Sequence, residues 1–506
     1  MSVAKPVSHL TSGRLLARNT IWNLLGLVLP MLVGLIAVPP LVRGMGLPRF
    51  GVLSLAWVVI GYFSLFDLGI GRALTKLVAD KLGAKQESSI PPLVWTSMLL
   101  MLLLGMLGSL VALSISPWLV HRGLKVPESL QSETLASFCL LAASIPLVTL
   151  TSGLRGFLEA QQRFGILTLI RIPMSLFSFI GPLLVLPFSH SLVPIMLVLM
   201  AGRIVACGAH LFACFSAMPE LRRSFAVQRS VIRPVISFGG WMTVTNIVGP
   251  IMVYLDRFLV SGLLSVGMVA YYTAPFDMVT RLLLIPAGLS GVLFPALAVS
   301  LAQDRQRARV LLGRGIKYIF LAVFPIALVV VTFAPEALRL WLGTSFSQHG
   351  GSVLRWLTAG VLVNAVAYVP FILIQSAGRP DLIAKLEIVQ APVYLGALWL
   401  LTTRFGIAGT AITWTGRIIL DAVILFWCSE RLLPHEPKLL LKLGLAMAGA
   451  LAVLWLVALP ESLVMKSIFL SVALLAFTIT GWFGALRSSE RVFLTGTRAR
   501  TPIESH

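Results

Sequence analysis

The sequence predicts an all-α protein that crosses a membrane many times, and two observations support this fold class. Of the 506 residues, 58% are hydrophobic and only 12% are charged. Apolar runs of about 20 residues, the length a helix needs to cross a bilayer, recur along the whole chain. A backbone surrounded by lipid must bond its own polar groups, and these runs are too continuous for the alternating strands of a membrane β-barrel.

The apolar runs predict about 14 transmembrane helices. Their expected bounds are residues 21–42, 51–72, 93–116, 135–153, 167–187, 192–217, 235–257, 267–298, 316–333, 352–374, 382–401, 405–429, 439–459 and 466–486. The first run has no small-residue cleavage pattern behind it, which favours a retained helix over a removed signal peptide.

An internal repeat relates the first twelve predicted helices as two copies of six. "AGRIVACGAHLFACF" from Ala201 aligns without gaps on "TGRIILDAVILFWC" from Thr415, at an offset of 214 residues. Two weaker matches, "EAQQRF" with "QSAGRP" and "DLGIGRAL" with "PAGLSGVL", have offsets of 216 and 219. Because six is an even number, both copies insert in the same orientation, which predicts two lobes facing each other across a central cavity.

The repeat and the predicted helices divide the chain into six parts. They are an amino-terminal tail (1–20), an N-lobe (21–217), a basic inter-lobe loop (218–234), a C-lobe (235–429), two further helices (439–486) and a carboxy-terminal tail (487–506).

Lysine and arginine in the connections predict the orientation. One side holds 28 of the 40 basic residues and the other side holds 9, while Arg203, Arg281 and Arg417 lie within helices. By the positive-inside rule both termini are cytoplasmic, in a multi-pass protein of the cytoplasmic membrane. The net charge of +21 mostly reflects this asymmetry, so we expect the basic loops to contact anionic lipid and not nucleic acid.

Several classes of site find no support in the sequence. The four cysteines lie inside predicted helices without paired spacing, and the seven histidines show no metal-ligand spacing. "DLGIGRAL" has Leu74 where a dinucleotide fingerprint requires its third glycine. We therefore expect no metal, no cofactor and no catalytic domain.

Two charges interrupt the apolar stretch "APFDMVTRLLLIPAG". A charge at the centre of a membrane helix costs roughly 2.5 to 3.5 kcal/mol, so such residues usually face a partner or a wet cavity. Asp277 and Arg281 are four residues apart, which places them on one helical face near mid-depth. The pair either clamps two helices or handles substrate or protons, and the sequence leaves both interpretations open.

Glycine and proline next to this pair predict hinges. Pro286 and Gly288 weaken the helix just beyond Arg281, and the repeat matches this bend to Gly69 and Gly71. The same match places Asp67 at the corresponding depth of the second predicted helix. For Asp67 a role in helix packing is favoured over a role in ion or proton coupling.

The repeat also matches Arg203 with Arg417, each near mid-depth of its helix. A guanidinium forms bidentate bonds to phosphate oxygens, so both are candidates for binding a diphosphate, although bonds to helix carbonyls or to an acid remain an alternative. Arg417 shares its face with Asp421, a candidate for ion coupling. Asp256 and Arg257 are interpreted as interface residues.

Three phrases resemble one known family: "PPLVRGMGLPRFGVLSLAWVVIGYFSLFDLGIGRALTKLVAD" from Pro39, "YLDRFLVSGLLSVGMVAYYTAPFDMVTRLLLIPAGLSGVLFPAL" from Tyr254, and "LRLWLGTSF" from Leu338. They are similar to the polysaccharide transporter, or Wzx-type, flippases of the superfamily that includes MATE exporters and MurJ. The resemblance implies a twelve-helix core that carries an undecaprenyl-diphosphate-linked oligosaccharide across the inner membrane by alternating access. It also implies partners such as a polysaccharide polymerase or other assembly proteins.

Two alternative functions remain. A MATE-type cation-coupled exporter needs a cavity rich in acids and aromatic rings, whereas three intramembrane arginines favour an anionic cargo. A membrane-embedded glycan polymerase or ligase generally needs a long outer loop, and the outer connections here are short.

The predicted topology is directly testable. A reporter fused after Arg222 or Arg305 should give a cytoplasmic signal, and one fused after Lys125 or Gln348 should give an external signal, because the basic connections stay inside. Alkaline phosphatase and a fluorescent protein, used in parallel, measure the two sides. Reversed signals at these four positions would overturn the orientation.

Overall fold

The part of the chain that the structure describes is helical. This computed structural model describes residues 29–30, 32–62, 69–84, 86–161, 163–223, 225–229, 232, 254–433 and 439–485. Within these ranges every regular element is a helix or a helical turn, and eight helices are long and apolar enough to cross a membrane. The all-α fold class is confirmed, while the count of fourteen spans stays a prediction.

Seventeen helices are named here in chain order. They are α1 Leu32–Met45, α2 Leu47–Tyr62, α3 Ile70–Gly83, α4 Ile90–Trp118, α5 Glu128–Ala143, α6 Ile145–Ala160, α7 Phe164–Val185, α8 Leu192–Ala217, α9 (residues 254–263), α10 Val266–Thr280, α11 Leu284–Gln303, α12 Arg305–Thr332, α13 Ala334–Leu342, α14 Thr344–Ser376, α15 Pro380–Leu432, α16 Leu439–Ala458 and α17 Leu463–Thr480.

The helix bounds repeat with the spacing of the sequence repeat. The spans Glu128–Ala160 and Thr344–Ser376 each contain 33 residues, and their starts differ by the offset of the sequence match, within two residues. The same holds for the starts of Ile90–Trp118 and Arg305–Thr332. Contacts group the chain into two compact units, Met1–Thr273 and Ala274–His506, which are described separately below. The predicted lobe boundaries at 217 and 235 stay a prediction, since residues 233–253 lie outside the described part.

In the first unit, small residues bring helix backbones together. A Cβ added to Gly156 on α6 would lie 2.6 Å from the Gly71 carbonyl oxygen on α3, and Thr75 Oγ1 donates to the Gly156 carbonyl at 3.0 Å. A second close approach joins α4 and α6, where a Cβ at Gly105 on α4 would lie 2.8 Å from the backbone of Pro146 on α6. Lipid supplies no hydrophobic force between helices, so this close packing holds the unit together.

In the second unit, α15 is a helical hairpin. Gly406 has φ 61° and ψ −145°, and it reverses the chain between an arm of residues 380–405 and an arm of residues 407–432. Thr402 and Thr410 share a buried hydroxyl hydrogen bond of 2.9 Å across the turn, and a Cβ at Gly409 would lie 1.9 Å from the Leu401 carbonyl oxygen. The positive φ favours glycine. The two helices predicted at 382–401 and 405–429 are these arms.

The two carboxy-terminal helices pack on α12. Phe320 and Phe324 of α12 stack with centroids 5.1 Å apart, and Phe477 of α17 lies 5.0 Å from Phe324. Lys466 of α17 is buried, and its Nζ lies 2.6 Å from Glu336 Oε1 on α13. Burial is the largest single influence and raises the pKa of Glu336, but the Lys466 hydrogen bond, a backbone hydrogen bond and the charges of Lys466 and Arg355 together outweigh it, so the pKa lies below the ordinary 4.5.

Three predicted elements differ from the structure. The single helix expected at 267–298 is two helices, α10 and α11, separated by a 3-10 turn at Arg281–Leu283. The single helix expected at 135–153 is likewise two, α5 and α6, which meet at Ser144. The connection expected between the predicted helices at 51–72 and 93–116 is largely helical, because α3 covers Ile70–Gly83.

The buried pair of Glu336 and Lys466 should contribute to stability. Glu336→Gln should lower the free energy of unfolding in detergent by roughly 1 to 3 kcal/mol, because Lys466 then stays buried without its carboxylate. The measured result is a lower melting temperature. Because the folded-state pKa is lowered, the contribution of the pair should be full at neutral pH and disappear as the pH falls below about 4.5.

The exposed pair of Arg379 and Asp381, 2.9 Å apart, is the matched control. Asp381→Asn should leave the melting temperature unchanged, since exposed ion pairs contribute little. Equal effects of the two substitutions would contradict the anchoring role of Lys466.

Candidate functional site

Arg203 lies in the middle of α8, partly buried, next to a helix junction. It is roughly 17 Å along the helix from Leu192, and its Nη1 donates a hydrogen bond of 2.6 Å to Ser144 Oγ. Ser144 is the single residue between α5 and α6, is 1% exposed, and donates its own hydroxyl to the Leu141 carbonyl. The junction therefore fixes one edge of the guanidinium at mid-depth in the first unit.

Arg417 lies at the matching depth of the second arm of α15, among different partners. Its Nε is 3.5 Å from Asp421 Oδ2, one turn away on the same arm. Its guanidinium carbon lies 5.3 Å from the centre of the Tyr394 ring on the first arm. Both Arg417 and Asp421 are mostly buried, with side chains 14% and 21% exposed.

Corresponding helix contacts in the two repeats use different residues. In the first repeat Arg203 donates to the Ser144 hydroxyl, which lies 59 positions earlier in the chain. In the second repeat the Thr415 hydroxyl donates to the Trp356 carbonyl, also 59 positions earlier, at 2.8 Å. Arg417, two residues after Thr415, has the Asp421 carboxylate beside it.

Asp277 and Arg281 lie on either side of the end of α10. Asp277 is on α10 and partly buried, whereas Arg281 begins the 3-10 turn that follows Thr280 and is exposed. The pairing of the two side chains stays a prediction. Their roles in binding or coupling stay predictions.

The predicted hinge residues occupy four different settings. Pro286 is buried in the first turn of α11, and Gly288 is exposed with open space around its Cβ position. Gly69 has φ 72° immediately before α3, while Gly71 is buried against α6. The observed break in this region, at 281–283, precedes Pro286. Asp67 lies outside the described residues.

Asp256 and Arg257 are buried where α9 meets α10. They are 0% and 1% exposed, and the Tyr272 hydroxyl donates to Asp256 Oδ2 at 2.5 Å. The Arg257 guanidinium lies 3.6 Å from the Asp256 carboxylate and 4.6 Å from the centre of the Tyr254 ring. These contacts join α9 to α10.

Sequence reasoning missed a polar cluster on the first arm of α15. Glu387 interacts electrostatically with Asp421 and with Arg417. Gln390 is 6% exposed and lies near the Asp421 carboxylate. The spacing of Glu387, Gln390 and Tyr394, three and four residues apart, was the signal available in the sequence.

A second missed group lies in the first unit. Glu133 of α5 accepts hydrogen bonds from Arg49 Nη2 at 3.0 Å and from the Leu192 backbone N–H at 2.5 Å. A carboxylate at this position stabilises the amino-terminal end of α8, because the helix dipole is positive there. The group holds α2, α5 and α8 together.

Among the described residues, no three His, Cys, Asp or Glu side chains come together as a metal site.

A family model and a named relative both match this chain over more than half of its length. The family model described as "Polysaccharide biosynthesis protein" matches residues 16–301. A Shigella flexneri protein named "Putative O-antigen transporter" is 29% identical over 419 residues, covering 82% of this chain and 98% of that protein.

Two solved structures show the same fold. The lipid II flippase MurJ, in an inward closed conformation, has a TM-score of 0.70 at 14% identity, covering 92% of this chain and 100% of that chain. An inward-facing multidrug resistance MATE family transporter of the MOP superfamily has a TM-score of 0.69 at 14% identity, covering 80% and 94%. The expected MATE and MurJ-like architecture is confirmed.

The coupling between Arg417 and Asp421 can be measured. Asp421→Asn should lower the melting temperature in detergent, because Arg417 loses the carboxylate beside it within the protein interior. The double change with Arg417→Gln should recover most of the loss, with a coupling energy of about 0.5 to 3 kcal/mol. Arg155 and Glu159 have the same spacing but are 57% and 38% exposed, so their cycle should show little coupling. Strictly additive effects of Arg417→Gln and Asp421→Asn would show that the two groups act independently.

Proposed function

The chain belongs to the polysaccharide biosynthesis protein family, and on that premise we propose that it flips an undecaprenyl-diphosphate-linked oligosaccharide across the cytoplasmic membrane. The relatives support a transporter and not an enzyme: the Shigella flexneri protein is named a putative O-antigen transporter, and MurJ is named a lipid II flippase. The glycan would then pass to a polysaccharide polymerase or other assembly proteins. Flipping would proceed by alternating access.

The observation that carries the proposal is the setting of Arg203. The hydrogen bond to Ser144 Oγ positions the Arg203 guanidinium at mid-depth, and guanidinium N–H groups suit the oxygens of a phosphate. Ser144 orients the Arg203 side chain, because the Ser144 hydroxyl is itself held by its hydrogen bond to the Leu141 carbonyl at the junction of α5 and α6. Arg203 is therefore the proposed diphosphate contact of the first repeat.

Arg417 has a different proposed role. With Asp421 at 3.5 Å, its charge is partly balanced before any substrate binds, so its attraction for a diphosphate is weaker. A carboxylate that exchanges a proton or cation would change that attraction, which makes Asp421 the preferred coupling residue. Asp277, Arg281 and Asp67 remain proposed cavity or coupling residues on the sequence argument alone.

The energy source follows from what the sequence contains. No ATP-binding motif occurs in the chain, so an ion gradient, the membrane potential or glycan consumption on the far side would drive flipping. The proposed location is the inner membrane, with both termini in the cytoplasm and the basic loops against anionic lipid.

A MATE-type cation-coupled drug exporter is the second candidate. The cluster of Glu387, Asp421 and Tyr394 favours it, since carboxylates and an aromatic ring together suit an organic cation. A membrane-embedded glycan polymerase or ligase is the third, and the named transporter among the relatives argues against it.

The test is a deletion strain complemented with variants, in which lipid-linked glycans are analysed by leaflet. The strain should accumulate the diphosphate-linked glycan in the inner leaflet, and wild-type protein should clear it. At equal abundance, Arg203→Lys should clear it more slowly, and Arg203→Ala more slowly still. One lost phosphate contact costs on the order of 1.5 to 3 kcal/mol, about ten- to hundredfold in affinity.

Arg417→Lys and Arg417→Ala should also slow clearance, because a phosphate contact of the second repeat is weakened or lost. Outer-leaflet accumulation in the deletion strain would favour the enzyme. Unchanged glycans with increased sensitivity to cationic drugs would favour the exporter.

A further inference from the structure

Three charged side chains meet at one end of the second unit, in a group separate from the candidate site. Glu336 lies in the first turn of α13, Arg355 in α14 and Lys466 near the start of α17. A Cβ at Gly351, one turn before Arg355, would lie 3.3 Å from Pro335 Cγ. This close contact of α13 with α14 brings Glu336 next to Arg355.

The group contains one carboxylate for two cations. Lys466 is 3% exposed, and it forms the ion pair with Glu336 described above. Arg355 is half-buried and interacts with the Glu336 carboxylate through its charge. Among the described residues, no acceptor bonds the Arg355 Nε. Two positive charges and one negative charge leave one positive charge in excess, and Arg355 carries it.

The group lies at the boundary of the membrane. Helix α14 has 33 residues and is about 50 Å long, whereas the hydrocarbon is about 30 Å thick. Its predicted span begins at residue 352, so Arg355 lies roughly 5 Å inside the boundary. Lys466 begins the last predicted span, and Glu336 lies just beyond the span predicted to end at 333. The predicted orientation assigns this end to the outer leaflet.

Arg355 lies beside the exposed stripe of α14. His349, Ser352 and Trp356 are exposed and follow one another three and four residues apart, so they share one helical face. Trp356 is 44% exposed, and tryptophan is enriched where a membrane meets water. Arg339, exposed in the last turn of α13, adds a further positive charge at this end. Arg355 therefore borders a surface that lipid head groups cover.

A positive charge in excess at this depth favours an anionic ligand. A guanidinium forms two parallel hydrogen bonds with phosphate oxygens, and a half-buried charge is screened by salt less than an exposed one. Phosphatidylcholine carries its own cation beside its phosphate, whereas phosphatidylglycerol carries a net negative charge. The excess charge therefore selects an anionic phosphate lipid over a zwitterionic one.

We propose that Arg355 binds the phosphate of an anionic lipid in the outer leaflet, at the junction of α13, α14 and α17. The site goes beyond the proposed flippase function and does not rest on it. Glu336 is part of the site because it neutralises Lys466 and leaves Arg355 for the lipid. Two lipids have the required phosphate: a phospholipid of the membrane, and the diphosphate-linked glycan once it has reached the outer leaflet.

Fluorescence quenching next to the site tests the proposal. A bimane label on Leu340→Cys, at a residue 85% exposed on α13, reports brominated lipid nearby in reconstituted vesicles. The background lacks the four native cysteines. In phosphatidylcholine vesicles with increasing brominated phosphatidylglycerol, Arg355→Gln should raise the phosphatidylglycerol fraction needed for half-maximal quenching by about tenfold or more. Arg355→Lys should raise it less, because lysine keeps the charge and loses the bidentate geometry.

Arg404→Gln is the matched control. Arg404 is an exposed arginine close to the turn of α15, at the same predicted end of the second unit, and its loss changes the net charge equally. This change should leave the quenching curve as it is. Equal quenching of the wild-type chain by brominated phosphatidylglycerol and brominated phosphatidylcholine would overturn the proposal, and so would equal shifts from Arg355→Gln and Arg404→Gln.

Glu336→Gln should act in the opposite direction. Removing the carboxylate leaves both Lys466 and Arg355 for the phosphate, so half-maximal quenching should occur at a lower fraction of phosphatidylglycerol. A carboxylate that only joined the helices would give no such gain. Unchanged or weaker binding by Glu336→Gln, in protein that is folded in phosphatidylcholine, would contradict the charge argument.

Competition identifies which lipid supplies the phosphate. Undecaprenyl diphosphate that displaces brominated phosphatidylglycerol at a lower fraction than plain phosphatidylglycerol does would identify the transported lipid as the ligand. The reverse order would identify a resident phospholipid. A chain that flips no glycan yet shows quenching that depends on Arg355 would contradict the flippase function and leave this site supported.

Discussion

Close approach of helix backbones through glycine is the constraint on which the rest of the structure depends. In lipid, apolar side chains gain little by contacting one another, so helices associate through van der Waals packing and interhelical hydrogen bonds. Gly156 against Gly71, Gly105 against Pro146 and Gly409 against Leu401 supply that packing within each unit. Hydroxyl groups such as that of Thr75 then reach a neighbouring carbonyl. The positions of Arg203 and Arg417 follow, because each arginine projects from a helix whose neighbours are fixed in this way.

The sequence predicts the helical class and the repeat, because both depend on composition and on matches within the chain. It also predicts the two arms of α15, since "FGIAG" interrupts an apolar run much longer than a bilayer is thick. The break at Arg281–Leu283 and the junction at Ser144 were not predictable in the same way. The apolar pattern continues through both, and only tertiary packing determines where such a helix is interrupted.

The candidate site could be predicted less completely than the fold. Arg203 and Arg417 stand out as charges in apolar runs and as partners in a repeat, but their neighbours lie elsewhere in the chain. Ser144 is a single serine in an apolar segment, and nothing in its surroundings indicates a contact with an arginine. Glu387 lies near a basic connection, where an acidic residue is expected to be at the surface. The "GRI" match therefore indicates equal depth, but it does not identify the side chains that each arginine contacts.

The ion pair between Lys466 and Glu336 has a consequence for the order of events during synthesis. Its two residues are 130 positions apart, so Glu336 is synthesised well before Lys466. In the complete protein Arg355 is a further charge near the Glu336 carboxylate, and Phe324 of α12 packs on Phe477 of α17. Chains grow from the amino terminus, so the second unit reaches its final packing only when α17 has been inserted. A chain that stopped before α17 would therefore leave Glu336 without Lys466 and Phe324 without Phe477.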